Sequence, residues 1–262
     1  MSARRDDLAR IREGLLAAAK ALEPFTPGAI EAERKKGGDP VTEADRAVDD
    51  VLKRLLPAAG EGWLSEETRD DRTRLDCRRV WVVDPVDGTR EFIAGIPEWC
   101  ISIALVEEGR PVAGGIHSPV AGQLFLGAPG EGLTLNGEPA RVVDRRRLAG
   151  AKVLASRSEI RRGEWERFEG GELEIRPCGS VAYKMAQVAA GLADLTWTLV
   201  PKHEWDVAAG AALVEAGGGR VRIPDQGEPR FNRPHPLFPG FAAYPASLAP
   251  AVEELLGLRA EA

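Results

Sequence analysis

Carboxylate side chains beside turns are the residues of this sequence best suited to chemistry. Two of them flank a proline in the segment Asp84-Pro85-Val86-Asp87-Gly88-Thr89. Oxygen ligands this close in sequence can share one hard cation or bridge two. The amides of Gly88 and Thr89 would face an anion if they open a short helix. The segment by itself is equally compatible with an ordinary Asx turn that contains proline.

Four further segments place carboxylates next to turns or at the ends of elements. They are Val41-Thr42-Glu43-Ala44-Asp45, Ser65-Glu66-Glu67, Glu98 and Glu204-Trp205-Asp206. Each also has a structural explanation: Thr42 and Asp45 match a helix-capping pattern, and Asp206 near a helix start would offset the helix dipole. The order of all five segments in one chain is therefore more informative than any one of them.

Apolar periodicity predicts the elements of the first half, which must position most of these carboxylates. The pattern favours helices over 3–23 and from Thr42 to Pro57, and a buried strand at 80–83 that ends at Asp84. A hairpin of 100–106 and 111–117, a strand at 123–127 and an Asn136-Gly137 turn continue as a meander.

Strands and helices alternate in the second half. The sequence predicts strands at 152–155, 195–200, 220–223 and 240–244, and helices at 181–190, 205–216 and 247–256. We therefore expect an N-terminal α+β subdomain, residues 1–145, that carries most metal ligands. A C-terminal α/β subdomain, residues 146–262, would carry Asp206 and substrate contacts.

Composition excludes several classes of protein. The 262 residues carry 35 Lys and Arg against 41 Asp and Glu, a net charge of −6, which disfavours binding to a nucleic-acid polymer. A small anionic substrate stays compatible with this charge, because bound divalent cations can reverse the sign of a local site. No apolar run is long enough for a membrane span, residues 1–20 do not read as a signal peptide, and three scattered cysteines do not form a disulfide framework. We expect a cytoplasmic protein.

The order of the acidic segments closely resembles the inositol monophosphatase superfamily. The first signature is Asp-Pro-Val-Asp-Gly-Thr-Arg-Glu-Phe-Ile at 84–93, preceded by Pro-Val-Thr-Glu-Ala-Asp at 40–45 and Ser-Glu-Glu at 65–67. The second is Glu-Trp-Asp-Val-Ala-Ala-Gly at 204–210, followed by Glu-Ala-Gly-Gly-Gly at 215–219. The resemblance implies a layered αβαβα sandwich, usually a homodimer, that hydrolyses small phosphate monoesters with Mg²⁺ and is sensitive to lithium.

The resemblance also implies roles for individual residues. Ligands of a first Mg²⁺ would be Glu66, Asp84 and the carbonyl of Val86, and ligands of a second would be Asp84, Asp87 and Asp206, with Glu66 touching a third ion. The residues implied in catalysis are Thr89, Asp45, Glu66 and Asp84, with the Thr89–Asp45 pair orienting and deprotonating the attacking water. Two cations about 3.5–4 Å apart would turn this acidic cluster into a phosphate clamp.

The implied substrate depends on weaker similarities. Thr-Arg-Glu-Phe-Ile at 89–93 is similar to Thr-Lys-Glu-Phe-Ile of bacterial 3'(2'),5'-bisphosphate nucleotidases, and Ser156-Arg157-Ser158 and Gly179-Ser180 resemble segments that line their nucleotide pocket. The implied substrate-binding residues are Gly88, Thr89, Arg90, Arg157, Ser180 and Lys202. Leu199 stands where animal inositol monophosphatases carry a glutamate that contacts inositol, so a pocket of that design is not expected.

Three substrates therefore stay open, in a definite order. The first is 3'-phosphoadenosine 5'-phosphate, hydrolysed to AMP and phosphate; inositol monophosphate is second and histidinol phosphate third. A metal-dependent binding protein without turnover, or a structural cation-binding domain, is the non-enzyme alternative. Such a protein would need the acidic residues, but it would not need the Thr89 hydroxyl or the Gly88 turn.

Overall fold

The computed structural model describes residues 3–34 and 40–258. The helices are α1 (Ala3–Leu22), α2 (Glu43–Leu55), α3 (Thr89–Ala94), α4 (Arg157–Arg161), α5 (Val181–Ala189), α6 (Glu204–Ala216) and α7 (Ala249–Leu256). The strands are β1 (Glu33–Arg34), β2 (Pro40–Val41), β3 (Glu61–Ser65), β4 (Arg79–Asp87), β5 (Cys100–Glu107), β6 (Arg110–Ser118), β7 (Gln123–Ala128), β8 (Gly132–Leu135), β9 (Glu138–Ala140), β10 (Lys152–Ser156), β11 (Glu174–Cys178), β12 (Leu195–Thr198), β13 (Lys202–His203), β14 (Gly219–Arg222), β15 (Leu237–Phe238) and β16 (Phe241–Pro245). None of the helices in this part of the chain is both long and apolar enough to cross a membrane.

Two sheets form the frame of the molecule. The larger has seven strands in the order β3-β4-β5-β6-β7-β8-β9, antiparallel throughout except for the parallel pair β3 and β4. The smaller has five strands in the order β11-β10-β12-β16-β14, of which β11, β10 and β12 are parallel. The larger sheet contains residues of 61–140 and the smaller one residues of 152–245, while a domain boundary near 145 stays a prediction.

Helices cover both faces of these sheets because apolar residues occupy both faces of the central strands. Leu15 of α1 and Leu52 of α2 pack with Trp81 on the outer face of the seven-stranded sheet. Helices α5 and α6 fill the space between the sheets, and Val252 of α7 packs with Tyr244 on the far face of the five-stranded sheet. The predicted αβαβα sandwich is confirmed.

Glycine allows α6 to lie directly on the seven-stranded sheet. A Cβ atom at Gly114 of β6 would come within 2.7 Å of the carbonyl oxygen of Ala209 and 2.9 Å of the Cβ of Ala212. This close approach places the first turn of α6 at the end of the sheet where β4 also ends.

The predicted element boundaries agree with the structure within two residues, apart from the strand at 80–83. That strand was expected to end at Asp84, but β4 continues through Pro85 to Asp87, and the expectation was wrong. Pro85 has no N–H to donate to a neighbouring strand. It is tolerated in β4 because the register against β5 shifts at this point, so no hydrogen bond of the regular ladder is required from position 85. The sequence did not predict β3, α4 and β11, each of which is only five residues long.

Candidate active site

The irregular end of β4 brings two carboxylates to one face of the sheet. Asp84 lies opposite Ser102 of β5 and Asp87 opposite Cys100, so three steps along β4 match two steps along β5. In a regular strand, residues three apart point to opposite faces, and the extra residue in β4 corrects this alternation. Asp84 and Asp87 can therefore face the same side.

Asp206 joins these two residues from a different element. It is the third residue of α6, and its Oδ2 atom accepts a hydrogen bond from the backbone N–H of His203 at 2.9 Å, which closes a capping box. One carboxylate oxygen from each of Asp84, Asp87 and Asp206 lies within 4.8 Å of the others. The structure thus brings together three of the predicted metal ligands.

These carboxylates repel one another in a poorly hydrated environment. Burial, and next the charges of Glu66, Asp87 and Asp206, raise the pKa of Asp84 well above its usual range. Burial and the charges of Asp87 and Glu66 do the same to the pKa of Asp206. A bound divalent cation would remove this repulsion, and an oxygen-only donor set suits a hard cation. The residues present therefore fit the metal site that the sequence predicts.

Asp87 is also a structural anchor for α5. Its Oδ2 atom accepts hydrogen bonds from the hydroxyl of Ser180 at 2.7 Å and from the backbone N–H of Ala182. Burial is the largest influence on the pKa of Asp87 and raises it, although these two hydrogen bonds and the charge of Lys184 act in the opposite direction. Ser180, predicted to contact substrate, lines the cavity while its hydroxyl positions Asp87.

Thr89 and Asp45 are in direct contact, as predicted. The Thr89 hydroxyl lies 3.0 Å from Oδ1 of Asp45 and 3.0 Å from the carbonyl oxygen of Val86. The other oxygen of Asp45 accepts hydrogen bonds from the N–H of Thr42 at 2.8 Å and from its hydroxyl at 2.6 Å. The capping box at the start of α2 therefore holds the carboxylate that contacts Thr89.

A short helix follows the second carboxylate, as the sequence analysis anticipated. Helix α3 begins at Thr89 after Gly88, whose φ of 99° lies in the left-handed region. A Cβ atom at position 88 would also meet the carbonyl oxygen of Glu98 at 3.0 Å. Glycine is required here both by the backbone conformation and by the space available.

An open cavity of about 760 Å³ contains this cluster. Its lining includes every predicted site residue except Asp45, which lies behind Thr89; these are Glu66, Asp84, Val86, Asp87, Gly88, Thr89, Arg90, Arg157, Ser180, Lys202 and Asp206. Residues from both sheets and from the helices between them contribute to it.

Two of the predicted phosphate-binding cations are already paired. The guanidinium of Arg157 makes two hydrogen bonds to the carboxylate of Glu98, one of them 2.9 Å long. The ammonium group of Lys202 lies 3.5 Å from the carboxylate of Glu159, a buried residue. Both cations line the cavity, but each carries a nearby negative charge.

Lys184 of α5 is a cation that the sequence analysis missed. It is 97% buried, with 3% of its surface exposed, and it lines the cavity. Within residues 3–34 and 40–258, no carboxylate lies within ion-pair distance of its ammonium group. Burial lowers the pKa of Lys184, and an anion in the cavity would oppose that shift. A lysine on a helix otherwise rich in apolar residues is a sequence signal that could have identified it.

Leu199 lies outside the acidic cavity, whereas Trp205 lines it. Leu199 is 41% exposed and lies at a separate cavity of about 320 Å³ beside Trp197, so it does not line the acidic cavity. Trp205 packs partly against the core and also lines the acidic cavity, where its ring stacks on His203 at 4.2 Å.

Comparison with known proteins agrees with this geometry. A model of the inositol monophosphatase family matches residues 7–254. Inositol monophosphatase 3 of Solanum lycopersicum is 32% identical over 241 residues, which cover 79% of this chain and 89% of that one. The structure of extragenic suppressor protein suhB from Bartonella henselae matches with a TM-score of 0.81 at 27% identity, covering 96% of this chain and 98% of that one. CysQ from Bacteroides thetaiotaomicron, a bacterial member of the inositol monophosphatase family, matches with a TM-score of 0.76 at 28% identity, covering 92% and 97%. The chain belongs to the inositol monophosphatase family, whose members are metal-dependent phosphoric monoester hydrolases.

Proposed function

We propose that this phosphatase uses Mg²⁺ to hydrolyse a small phosphate monoester that carries a second phosphate, with 3'-phosphoadenosine 5'-phosphate as its best substrate. The reaction consumes water and releases AMP and inorganic phosphate. The observation that carries this choice is the buried Lys184 in the wall of the acidic cavity, for which the described residues provide no ion-pair partner.

The residues that would hold Mg²⁺ are those with oxygen donors at the cavity floor. They are the carboxylates of Glu66, Asp84, Asp87 and Asp206 and the backbone carbonyl of Val86. Bound Mg²⁺ would supply a lowered pKa for a water molecule and neutralise charge on the leaving oxygen.

The chain's own residues would orient the reactants. The Thr89 hydroxyl donates a hydrogen bond to Asp45, which Thr42 holds in place, and its lone pairs would accept a hydrogen bond from the attacking water. As the water attacks phosphorus, its proton would pass to the Thr89 oxygen while the Thr89 proton passes to Asp45. The backbone N–H groups of Gly88 and Thr89 are the donors proposed for the phosphate oxygens, and Arg90 lies beside them in the lining. No covalent enzyme intermediate is needed.

The opposite wall would hold the second phosphate. Lys184 provides a positive charge without a carboxylate partner among the described residues, and Arg157 and Lys202 add guanidinium and ammonium donors. Charge-assisted hydrogen bonds to phosphate are the strong class of hydrogen bond, and Arg suits it particularly well. An ester with one phosphate would leave the buried ammonium group of Lys184 with only the more distant charges of Glu159 and Asp87.

Lys184→Met tests this assignment, because methionine keeps the length and removes the charge. We expect KM for 3'-phosphoadenosine 5'-phosphate to rise at least about tenfold, the loss of one charged hydrogen bond, and KM for inositol 1-phosphate to stay nearly constant. Lys152→Met is the matched control, since the Lys152 ammonium group bonds to the Leu192 carbonyl at 3.2 Å, far from the cavity lining. An equal rise in KM for both esters would refute a second-phosphate site at Lys184.

Inositol 1-phosphate is the second candidate. Leu199 is absent from the lining of the acidic cavity, so the lack of a glutamate at this position is a weaker argument against inositol than the sequence suggested. The relative from Solanum lycopersicum is named an inositol monophosphatase, which also supports this substrate.

Other properties implied by the resemblance belong to the same proposal. We expect inhibition by lithium, a homodimer and a cytoplasmic location. Phosphate release in increasing LiCl, with KCl as the control for ionic strength, tests the first of these, and sedimentation equilibrium tests the second.

A further inference from the structure

Glu98 lies behind the cavity wall, in the loop between α3 and β5, and has a set of partners that the proposed mechanism does not use. Its carboxylate accepts two hydrogen bonds from Arg157, at the start of α4, and one of 2.7 Å from the backbone N–H of Gly179. Glu98 itself is not part of the cavity lining. Three separate segments therefore meet at one carboxylate.

These contacts connect the two sheets beside the substrate cavity. Glu98 precedes β5 of the seven-stranded sheet, whereas Arg157 and Gly179 follow β10 and β11 of the five-stranded sheet. Asp87 makes a second connection of the same kind through Ser180 and Ala182. Glu98 and Asp87 thus both hold the turn between β11 and α5, Glu98 through Gly179 and Asp87 through Ser180 and Ala182.

The space around Gly179 leaves this turn little freedom. A Cβ atom at Gly179 would lie 2.5 Å from Cγ of Glu91, and Ser180 has a φ of 53°, unusual for a residue other than glycine. A non-glycine residue keeps such a backbone conformation only where its surroundings hold it. The hydrogen bonds from Gly179 to Glu98 and from Ser180 to Asp87 are among the contacts that do so.

We infer that Glu98 is a positioning residue that sets the location of the cationic wall, Arg157 and Lys184, relative to the acidic cluster. Glu98 orients Arg157 directly, and it orients Lys184 through the turn that begins α5. This inference rests on the proposed function, because it assigns the cationic wall to the second phosphate. It also explains why Arg157 lines the cavity although its guanidinium is paired on one edge: a guanidinium has five N–H donors, and the two edges can serve different acceptors.

Glu98→Gln tests the inference, since glutamine can still accept the Gly179 hydrogen bond but cannot form the ion pair with Arg157. We expect KM for 3'-phosphoadenosine 5'-phosphate to rise about tenfold and kcat to change less than about threefold, because the acidic cluster is untouched. The dissociation constant for AMP, measured by calorimetry, is expected to rise by a similar factor, because the phosphate that AMP retains occupies the cationic wall.

Asp194→Asn is the matched control. The Asp194 carboxylate also accepts one arginine and one backbone N–H, from Arg145 at 2.8 Å and from Lys152 at 2.6 Å, but it lies outside the cavity lining. We expect it to leave KM for both esters within about twofold, whatever it does to stability. If Asp194→Asn raises KM as much as Glu98→Gln, or if Glu98→Gln lowers kcat while KM stays constant, Glu98 has no positioning role of this kind.

The double variant Glu98→Gln/Arg157→Ala separates this inference from the proposed function. Its effect on KM is expected to be clearly smaller than the product of the two single effects, because both changes disrupt one interaction. The same coupling is expected in the free energy of unfolding, which is measured without any ester. Turnover of single-phosphate esters alone would refute the proposed substrate, whereas independent effects of the two changes on the free energy of unfolding would refute the role of Glu98.

Discussion

Thr89 shows how one hydroxyl can serve structure and chemistry together. Its single proton has two acceptors within 3.0 Å, the carboxylate of Asp45 and the carbonyl of Val86, so its lone pairs are left for another donor. Asp45 is kept in place by the N–H and hydroxyl of Thr42. The capping interpretation and the catalytic interpretation of Thr42 and Asp45 are therefore compatible at the same residues.

Two substitutions of Thr89 should distinguish the contribution of its hydroxyl to kcat from the contribution of its side-chain shape. We expect Thr89→Val to lower kcat by about 10²–10⁴, the usual contribution of a positioned proton-transfer group. Thr89→Ser, which keeps the hydroxyl, should stay within about tenfold of wild type. Steady-state phosphate release at saturating Mg²⁺ measures both; a Val variant as active as the Ser variant would rule out a catalytic role for the hydroxyl.

The roles of individual residues were predictable where the residues lie within one of the two family signatures. Asp84, Asp87 and Thr89 lie within one segment, and Asp206 lies in a second one. Lys184 and Glu98 were not assigned roles, because the importance of Lys184 depends on its burial and that of Glu98 on partners 59 and 81 residues away in the sequence. A single sequence carries little information about such contacts.

At the level of elements, the end of β4 decides whether the acidic residues converge. Apolar alternation predicted a strand that stops at Asp84, since Pro85 cannot donate to a sheet ladder. The bulge against β5 instead carries the strand to Asp87 and turns both carboxylates to one face. A register shift of this kind is set by pairing with β5, which local sequence does not encode.

Glu61, the first residue of β3, contacts α1, β4 and the turn after α2 at the opposite end of the seven-stranded sheet. Its carboxylate accepts hydrogen bonds from Arg10 at 2.7 Å, Arg79 at 3.1 Å, Trp81 at 2.8 Å and the N–H of Ala58 at 3.0 Å. Burial alone would raise the pKa of Glu61, but the hydrogen bonds from Arg10, Trp81 and Ala58 outweigh it and lower the pKa to about 2. The ionised carboxylate is thus stabilised in the folded state.

The pH dependence of this contribution follows from the sign of the shift. A carboxyl group with a lowered pKa in the folded state stabilises the protein fully above its unfolded pKa, near 4.5, and loses that effect as pH falls toward 2. We expect Glu61→Gln to lower the free energy of unfolding by about 2–3 kcal/mol at pH 7 and by clearly less at pH 3. Urea unfolding at both pH values measures this free energy, with Glu174→Gln at an exposed position as the control. If the difference in free energy between Glu61→Gln and wild type grew on acidification, the lowered pKa of Glu61 would be contradicted.

Gly114 tests whether close helix packing supports the site. Gly114→Ala should destabilise the protein by about 1–3 kcal/mol, the cost of overpacking, because the new methyl group would meet the backbone of α6 at 2.7 Å. Since α6 carries Asp206, we also expect more Mg²⁺ to be needed for half-maximal activity. Gly171→Ala is the control, as its Cβ would meet one atom at an ordinary 3.5 Å; equal effects of the two substitutions would contradict this account.

At the level of the whole molecule, the candidate site is formed by contributions from different layers. Asp84 and Asp87 come from the seven-stranded sheet, Asp206 comes from a helix of the central layer, and Arg157 comes from α4, which follows β10 of the five-stranded sheet. The layered sandwich was predictable, because alternating patterns and the family signatures cover most of the chain. The placement of the acidic cluster relative to the cationic wall could not be predicted, since it depends on contacts such as the hydrogen bond from Gly179 to Glu98.

Bound metal should therefore stabilise the whole fold. Mg²⁺ at about 100 times its dissociation constant would add about 2.7 kcal/mol, which corresponds to a rise in Tm of about 5–10 °C for a protein of this size. Asp84→Asn should have a higher Tm than wild type without metal, because it removes a buried repelling charge, and should gain little from Mg²⁺. Differential scanning calorimetry in EDTA and in MgCl₂, with KCl matched for ionic strength, tests both; a wild-type Tm indifferent to Mg²⁺ would contradict the proposed site.

The most direct test of the central claim is the ratio of kcat/KM values for phosphate release, with Mg²⁺, from 3'-phosphoadenosine 5'-phosphate, inositol 1-phosphate and histidinol phosphate. We predict that the nucleotide is preferred by at least about tenfold, since it alone of the three offers a second phosphate to the cationic wall that contains Lys184. A preference for inositol 1-phosphate or histidinol phosphate would contradict that assignment and would require a different ligand for Lys184.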